Sequence, residues 1–308
     1  MQLLAAVPDA PARAQGALLG LVAGSALGAV ARGLSPMEVL RLHGSVRALP
    51  PAPDLGTPAA LALELAASAA GKGTFDPIDI VARWRRWVET GERQLGSTSR
   101  EAFAALRLGL PAAEAAAMAA RARPGHAGAG AMARALPLVL LTASDRVRLR
   151  RWSYRSAALT HGEPAAAAAT MTACLLGADL RRHPLVEAAR RTAQAVREDA
   201  PNDVLAALRP AALGEALPVG QDAAGTLAAA VTALRWTATL EEAVVLVVDR
   251  GGNSDTAGAL VGGLAGLAFG AAAIPPAWQT ALGPAVVARC RELGLALWKL
   301  DQAAGTPG

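Results

Sequence analysis

The stretch Arg250-Gly-Gly-Asn-Ser-Asp-Thr256 places two glycines and four oxygen-bearing side chains directly before a run of small apolar residues. Asn253, Ser254, Asp255 and Thr256 can each accept a bond from the free N–H groups of a helix start, so one reading is an elaborate N-cap. The other is a ligand set, because a carboxylate beside a hydroxyl offers the hard oxygens that Mg²⁺ or Ca²⁺ take. A second candidate is Gly125-His-Ala-Gly-Ala-Gly-Ala-Met132, which leads through Arg134 into a helix expected to reach about Thr142. Glycine backbone ahead of a helix can hold a phosphate through its N–H groups. The segment fits neither a Walker nor a Rossmann context, so a plain flexible loop stands beside that reading. His161 and Glu163 precede Pro164, where a capping turn competes with a histidine facing a polar ligand. His43, His126 and His183 have no partners at metal-ligand spacing, and no nucleophile elbow or zinc pattern is present.

The elements that must position these residues are helical. Hydrophobic residues make up 53% of the 308-residue chain and aromatics only 3%, a composition led by Ala, Leu and Val that favours helix over strand. Gly16, Gly20, Gly24 and Gly28 fall four apart, and Gly258, Gly262, Gly266 and Gly270 repeat the spacing. Residues four apart share one helix face, so each segment presents a flat glycine stripe. Four interior glycines cost roughly 3–4 kcal/mol of helix propensity relative to alanine. Only close backbone packing offsets that cost, which predicts that the two helices meet at the domain centre.

Between the stripes, Asp76-Pro77 predicts the start of a helix with Ile80, Val81, Trp84, Trp87 and Val88 on its apolar face. Thr98 with Glu101, and Thr239 with Glu242, have capping-box spacing; the second box makes the following AVVLVV a helix despite its β-propensity. Residues 49–58 read as a Pro-rich loop. The apolar run 257–274 has the length of a membrane span, but its Gly/Ala composition reads as a buried core helix. The expectation is one all-α domain over 1–308, a compact multi-helix orthogonal bundle with flexible ends at 1–13 and 303–308.

The net charge of +5 comes almost wholly from arginine, and the cluster Arg146, Arg148, Arg150, Arg151 and Arg155 spreads around its helix. With no aromatic ladder beside it, a solvated face is the better reading than nucleic-acid binding. Cys174 and Cys290 lie in apolar runs and read as buried free thiols. The opening residues have neither a basic n-region nor a proper h-region, so the expected location is cytoplasmic, with no membrane partner.

Taken in order, these blocks resemble the ADP-ribosylglycohydrolase family, which includes the dinitrogenase-reductase-activating glycohydrolases. Residues 16–28 are similar to its opening GALLGLAxGDALG, and 251–256 to its closing GGDTDT. GSTSREA at 96–102 resembles GNTTRxA, GHAGAGAMARALPL at 125–138 resembles GNGxxMRxxPL, and LTHGEPAAAAA at 159–169 resembles LTHPxPxAxxA. The resemblance implies hydrolysis of the bond joining ADP-ribose to a protein side chain or similar acceptor. It also implies two Mg²⁺ or Mn²⁺ ions, held by TDDT, GGDTDT and an acidic residue after GDALG.

The chain departs from the family at most of those places. Gly56, Thr57, Pro58 and Ala59 stand where TDDT belongs, Ser25 stands where GDALG has Asp, and Asn253 replaces the first Asp of the last motif. Asp54 lies three residues upstream of the missing pair and substitutes only through a register shift. Arg32 falls near the later acidic position and is expected to place a fixed positive charge against Asp255. The metal residues implied are Asp255 and Thr256, with none or a single Mg²⁺ and no dinuclear site. The ligand-binding residues implied are Gly128, Gly130, Met132, Arg134, His161, Asn253 and Ser254. The leading expectation is a non-hydrolytic binder of ADP-ribose or a related nucleotide sugar, with an ADP-ribosylated protein as partner. Against it stand an active glycosidase with one metal or none, and a structural descendant without ligand.

Overall fold

Helix starts follow from local chemistry in the computed structural model, which describes residues 8–91, 94–142, 144–210, 212, 217 and 222–305. Asp9 caps α1 (Ala10–Ala31) by accepting from the Ala12 N–H at 2.7 Å. Ser35 and Glu38 form a reciprocal capping box on α2 (Pro36–His43), and α3 (Gly56–Lys72) ends on a left-handed Gly73. Asp76 accepts from the N–H groups of Ile78 and Asp79 to open α4 (Pro77–Glu89). α5 (Ser97–Arg107) and α6 (Ala112–Ala122) follow, and then α7 (Gly130–Ala135) and α8 (Pro137–Thr142) run on from one another around Leu136. Asp145 caps α9 (Arg146–Ala157), and a proline opens or directly precedes α10 (Pro164–Leu180), α11 (Leu185–Val196) and α12 (Asn202–Ala207). Asp222 caps α13 (Ala223–Trp236), while the Thr239–Glu242 box starts α14 (Leu240–Val248), so the β-branched run is helical. α15 (Ser254–Phe269), α16 (Pro276–Leu282) and α17 (Pro284–Gly305) complete the chain. Among the described residues there is no β-strand, only an isolated bridge between Gly128 and Asp222.

The most extensive helix–helix contact is between α1 and α15, which lie antiparallel, glycine stripe to glycine stripe. A Cβ added to Gly24 would lie 2.0 Å from the Gly258 carbonyl oxygen, and one added to Gly258 would lie 2.3 Å from that of Gly24. Gly20 and Gly262 have the same relation at 2.3 and 2.1 Å. Backbone therefore meets backbone with no room for a methyl group. Ser254, four residues before Gly258, continues the stripe and donates through Oγ to the Gly28 carbonyl at 2.7 Å.

Helices α3, α14 and α17 pack on the outside of this pair, and one hydrophobic cluster runs from Ala14 in α1 to Leu297 in α17. α1 is the one described helix long and apolar enough to cross a membrane, and 83% of its apolar window is buried inside the protein. Most of the run 257–274 is likewise core, as Gly258–Leu267 of α15 are buried, but Phe269 and the short 3₁₀ turn Ala271–Ala273 reach the surface. Both cysteines are free and buried, and burial pushes both thiols up.

Within the expected flexible ends, residues 10–13 and 303–305 are helical, and 1–7 and 306–308 lie outside the described residues. Two expectations need correction. The Pro-rich loop stops at Leu55, because Gly56, Thr57 and Pro58 form the first turn of α3. Thr98 caps nothing. α5 begins at Ser97 with Gly96 at its N-cap, which leaves Thr98 inside the first turn and buried.

The same substitution at two helical glycines separates packing from propensity. Gly24→Ala is expected to cost at least about 2 kcal/mol, because backbone must move to admit the methyl group. Gly71→Ala, in α3 with nothing within 4 Å of the added carbon, is expected to be neutral or to stabilise by up to about 1 kcal/mol. Urea denaturation of both variants checks this, and equal midpoints would remove the glycine contact from the account.

Candidate functional site

A cleft of about 600 Å³ opens where the first turns of α5, α7 and α15 converge. None of the three helices carries a side-chain cap, so their unpaired N–H groups and positive dipole ends serve the cleft. Arg32, Arg100, Arg123, Arg134, His126 and His161 line it, against Asp255 as the one lining carboxylate among the described residues. The lining is therefore predominantly cationic.

Its inner wall is Arg134, whose side chain is fully buried. The guanidinium lies over the Trp84 ring, 4.7 Å from the centroid, and Trp84 is itself pinned by its Nε1–H to the Leu61 carbonyl at 2.9 Å. Nη2 donates to Thr160 Oγ1 and lies 3.1 Å from His161 Nδ1, while Nε and Nη1 have no partner. No ion pair compensates the charge among the described residues, and burial pushes the Arg134 pKa down to about 9. It remains a cation at neutral pH.

Arg134 fixes the state of His161. A guanidinium has no acceptor, so Nδ1 must accept and the ring proton sits on Nε2. Burial, then the charges of Arg134 and His126, hold the His161 pKa well below its ordinary value, so the ring is neutral. Nε2–H points at the glycine segment: a Cβ on Gly128 would lie 3.2 Å from Nε2 and 2.8 Å from Thr98 Oγ1. Gly128 is therefore the position where even a methyl group disturbs the wall. Gly130 is roomier, with its added carbon 3.6 Å from His161 Nε2 and 3.7 Å from Ser99 Oγ. Glu163 Oε1 accepts from the Gly125 N–H at 2.9 Å and ties the glycine segment to the start of α10. Guanidinium, imidazole N–H, hydroxyls and helix N–H groups are thus gathered at one wall of the cleft, donor types of the kind that suit a phosphate.

The other end of the cleft is organised around Asp255, which is 3% exposed. Its Oδ2 accepts from Arg32 Nη1 at 2.7 Å, and its Oδ1 from the Thr256 N–H at 2.8 Å. Arg32 Nη1 also donates to the Gln94 carbonyl at 3.0 Å, and Nη2 to Gln94 Oε1. Gly56, at φ 77°, sits where an added carbon would be 2.6 Å from Ser25 Oγ and 3.7 Å from the Asp255 Cβ. Ser25 Oγ is buried without a partner. Asp54 is exposed and accepts from the Gly56 N–H, outside the cleft lining. Among the described residues no three His, Cys, Asp or Glu side chains gather into a group that could hold a metal. This donor set does not fit a pair of divalent ions, which needs several carboxylates.

Gly128, Gly130, Arg134, His161, Asn253, Asp255 and Thr256 thus line a common cleft, and the expected Arg32–Asp255 pair is present. Ser254 and Met132 do not line it. Ser254 is turned onto α1 because it is in register with the glycine stripe, and Met132 is buried in the core on α7. Arg100, Arg123, His126, Thr98 and Gln94 line the cleft without having been singled out for it in the sequence. Thr98 carries a signal in its dense neighbourhood of hydroxyls, but its capping-box spacing with Glu101 points instead to an N-cap.

The chain matches the ADP-ribosylglycohydrolase family over residues 6–307. It is 30% identical over 286 residues to an ADP-ribosyl-(dinitrogen reductase) glycohydrolase of Rhodospirillum rubrum, an alignment covering 89% of this chain and 92% of that one. Among solved structures it is similar to an ADP-ribosylglycohydrolase-related protein complex, with a TM-score of 0.78 and 30% identity over 95% of this chain and 99% of the other.

The neutral state of His161 has a stability signature. Its folded pKa lies below the unfolded value of roughly 6.5, so below that pH the unfolded chain binds the extra proton and acidification destabilises the fold. The wild-type thermal midpoint is expected to fall as pH drops from about 7 to 5. His161→Gln should show a flatter fall over the same range, and parallel slopes would mean that the buried imidazole is not the group responsible.

Proposed function

This chain belongs to the ADP-ribosylglycohydrolase family, and on that premise we propose that its cleft binds ADP-ribose or a related nucleotide sugar without two-metal hydrolysis. Arg134 carries the proposal. A fully buried guanidinium with two unpartnered nitrogens and no counter-ion among the described residues costs several kcal/mol, and a diphosphate in the adjoining cleft would supply the balancing negative charge. The diphosphate lies against Gly128, Gly130 and His161, and the terminal ribose against Asn253, Asp255 and Arg32. The R. rubrum relative is named for removing ADP-ribose from dinitrogen reductase, so an ADP-ribosylated protein is the partner proposed here.

The lining chemistry favours binding over turnover. Hydrolysis requires a group that activates water, either a metal or a general base. Asp255 is ion-paired to Arg32, and His161 presents a proton on Nε2 where a base would need a lone pair. Neither Asp255 nor His161 is therefore placed to activate water.

Calorimetry with ADP-ribose tests the reading. Arg134→Met, which keeps the stacking volume on Trp84, is expected to weaken binding at least about tenfold. Gly130→Trp should do the same by filling the cleft, whereas Asp255→Ala should cost less. The reverse ranking, or Mg²⁺-dependent release of ADP-ribose from a modified protein, would restore the hydrolase.

A further inference from the structure

We infer that Arg32 is a tethered cation that completes the sugar end of the cleft in place of a divalent metal ion. The inference rests on the nucleotide-sugar reading of the cleft and specifies how its Asp255 end works. Asp255 is nearly buried, and a buried carboxylate must be neutralised. Arg32 does this directly at 2.7 Å, from the residue that caps the C-terminus of α1.

The guanidinium is also held in place from the opposite side. Nη1 and Nη2 both donate to Gln94, whose carbonyl additionally accepts from Thr57 Oγ1 at 2.9 Å. Arg32 therefore links α15, the segment before α5 and the first turn of α3. Of its five N–H groups, Nε–H and one N–H of Nη2 have no partner among the described residues. These two donors, beside the side chain of Asn253, suit the hydroxyls of a sugar.

Charge matching explains why one guanidinium suffices. A site with a single carboxylate balances a single positive charge and would leave a dication largely uncompensated. A guanidinium is fixed by covalent attachment and cannot be removed by a chelator. It also lacks the power of a metal ion to generate hydroxide from bound water. One substitution thus accounts for a complete sugar subsite and for the loss of a water-activating centre.

The test combines metal titration with nucleotide binding. In Mn²⁺ titrations followed by electron paramagnetic resonance, the wild type without nucleotide should retain no ion at millimolar metal. Tight Mn²⁺ retention overturns the inference, whatever ADP-ribose does. In calorimetry, wild-type affinity for ADP-ribose should be the same in EDTA and in Mg²⁺, and binding only with Mg²⁺ also overturns it. Arg32→Gln should lose about tenfold in EDTA, whereas Arg32→Lys, which keeps the charge, should retain most of the affinity. Adding Mg²⁺ to Arg32→Gln should restore part of the loss, because Asp255 is then unpaired. Wild-type binding by Arg32→Gln, or a loss in a folded variant (checked by circular dichroism) that neither lysine nor Mg²⁺ repairs, assigns Arg32 a merely structural role. Absence of ADP-ribose binding under every condition, with Mn²⁺ still excluded, would instead defeat the ligand reading and leave the tethered cation standing.

Discussion

The contact of bare backbone between α1 and α15 sets the register of everything functional in this protein. Glycines four apart on each helix create notches that fit only when Gly28 faces Ser254, Gly24 faces Gly258 and Gly20 faces Gly262. A shift of either helix along the other would drive side chains into backbone. Because the helices are antiparallel, that register brings the last turn of α1 against the first turn of α15. Arg32 lies four residues beyond Gly28 and Asp255 one residue beyond Ser254, so the packing of the core delivers the ion pair of the cleft. A helix pair with ordinary side chains at the interface would tolerate a looser approach, at the usual separation of about 8–10 Å.

The cleft gains its positive character from two independent sources. One is topological, since three uncapped helix starts point into the same space. The other is a set of arginines, of which Arg134 is the most costly to maintain. Its position over Trp84 offsets part of that cost through the face of the ring, and its bonds to Thr160 and His161 use one nitrogen of three. The remaining unsatisfied nitrogens are a cost the free protein carries, which the negative charge of the proposed ligand would offset. His161 is drawn into the same logic: burial, with the neighbouring cation, keeps it neutral, and the cation directs its proton toward Gly128.

The fold was legible because helix signals and glycine spacing are local. The two stripes, the Asp76-Pro77 start and the Thr239–Glu242 box can each be read within a dozen residues, and the structure bears them out. The family blocks also placed Gly128, Gly130, Arg134, His161 and Asp255 in proximity. The errors came where a helix face decides. Ser254 belongs to the series 254, 258, 262, 266 and 270 and so must face α1, which the same periodicity would have revealed had the stripe been extended one turn. Met132 turns inward on α7. Arg100, Arg123 and His126 were not legible at all, because they reach the cleft only when separate loops and helix starts meet in space.

The replacements around Asp255 make physical sense as a set and not singly. Removing one carboxylate from a site that holds two dications would leave positive charge poorly balanced; removing several would leave Asp255 as a buried anion with no cation at all. Ser25 and Gly56 are neutral and closely packed there, with no room for a Cβ on Gly56 beside Ser25 Oγ. Arg32 then supplies one positive charge for the one negative charge that remains. The outcome is a cleft that is near neutral at its Asp255 end and cationic at its Arg134 end. Such a gradient would orient the asymmetric ligand proposed here, with its diphosphate drawn toward Arg134 and its uncharged ring left to the hydrogen bonds of the ion pair.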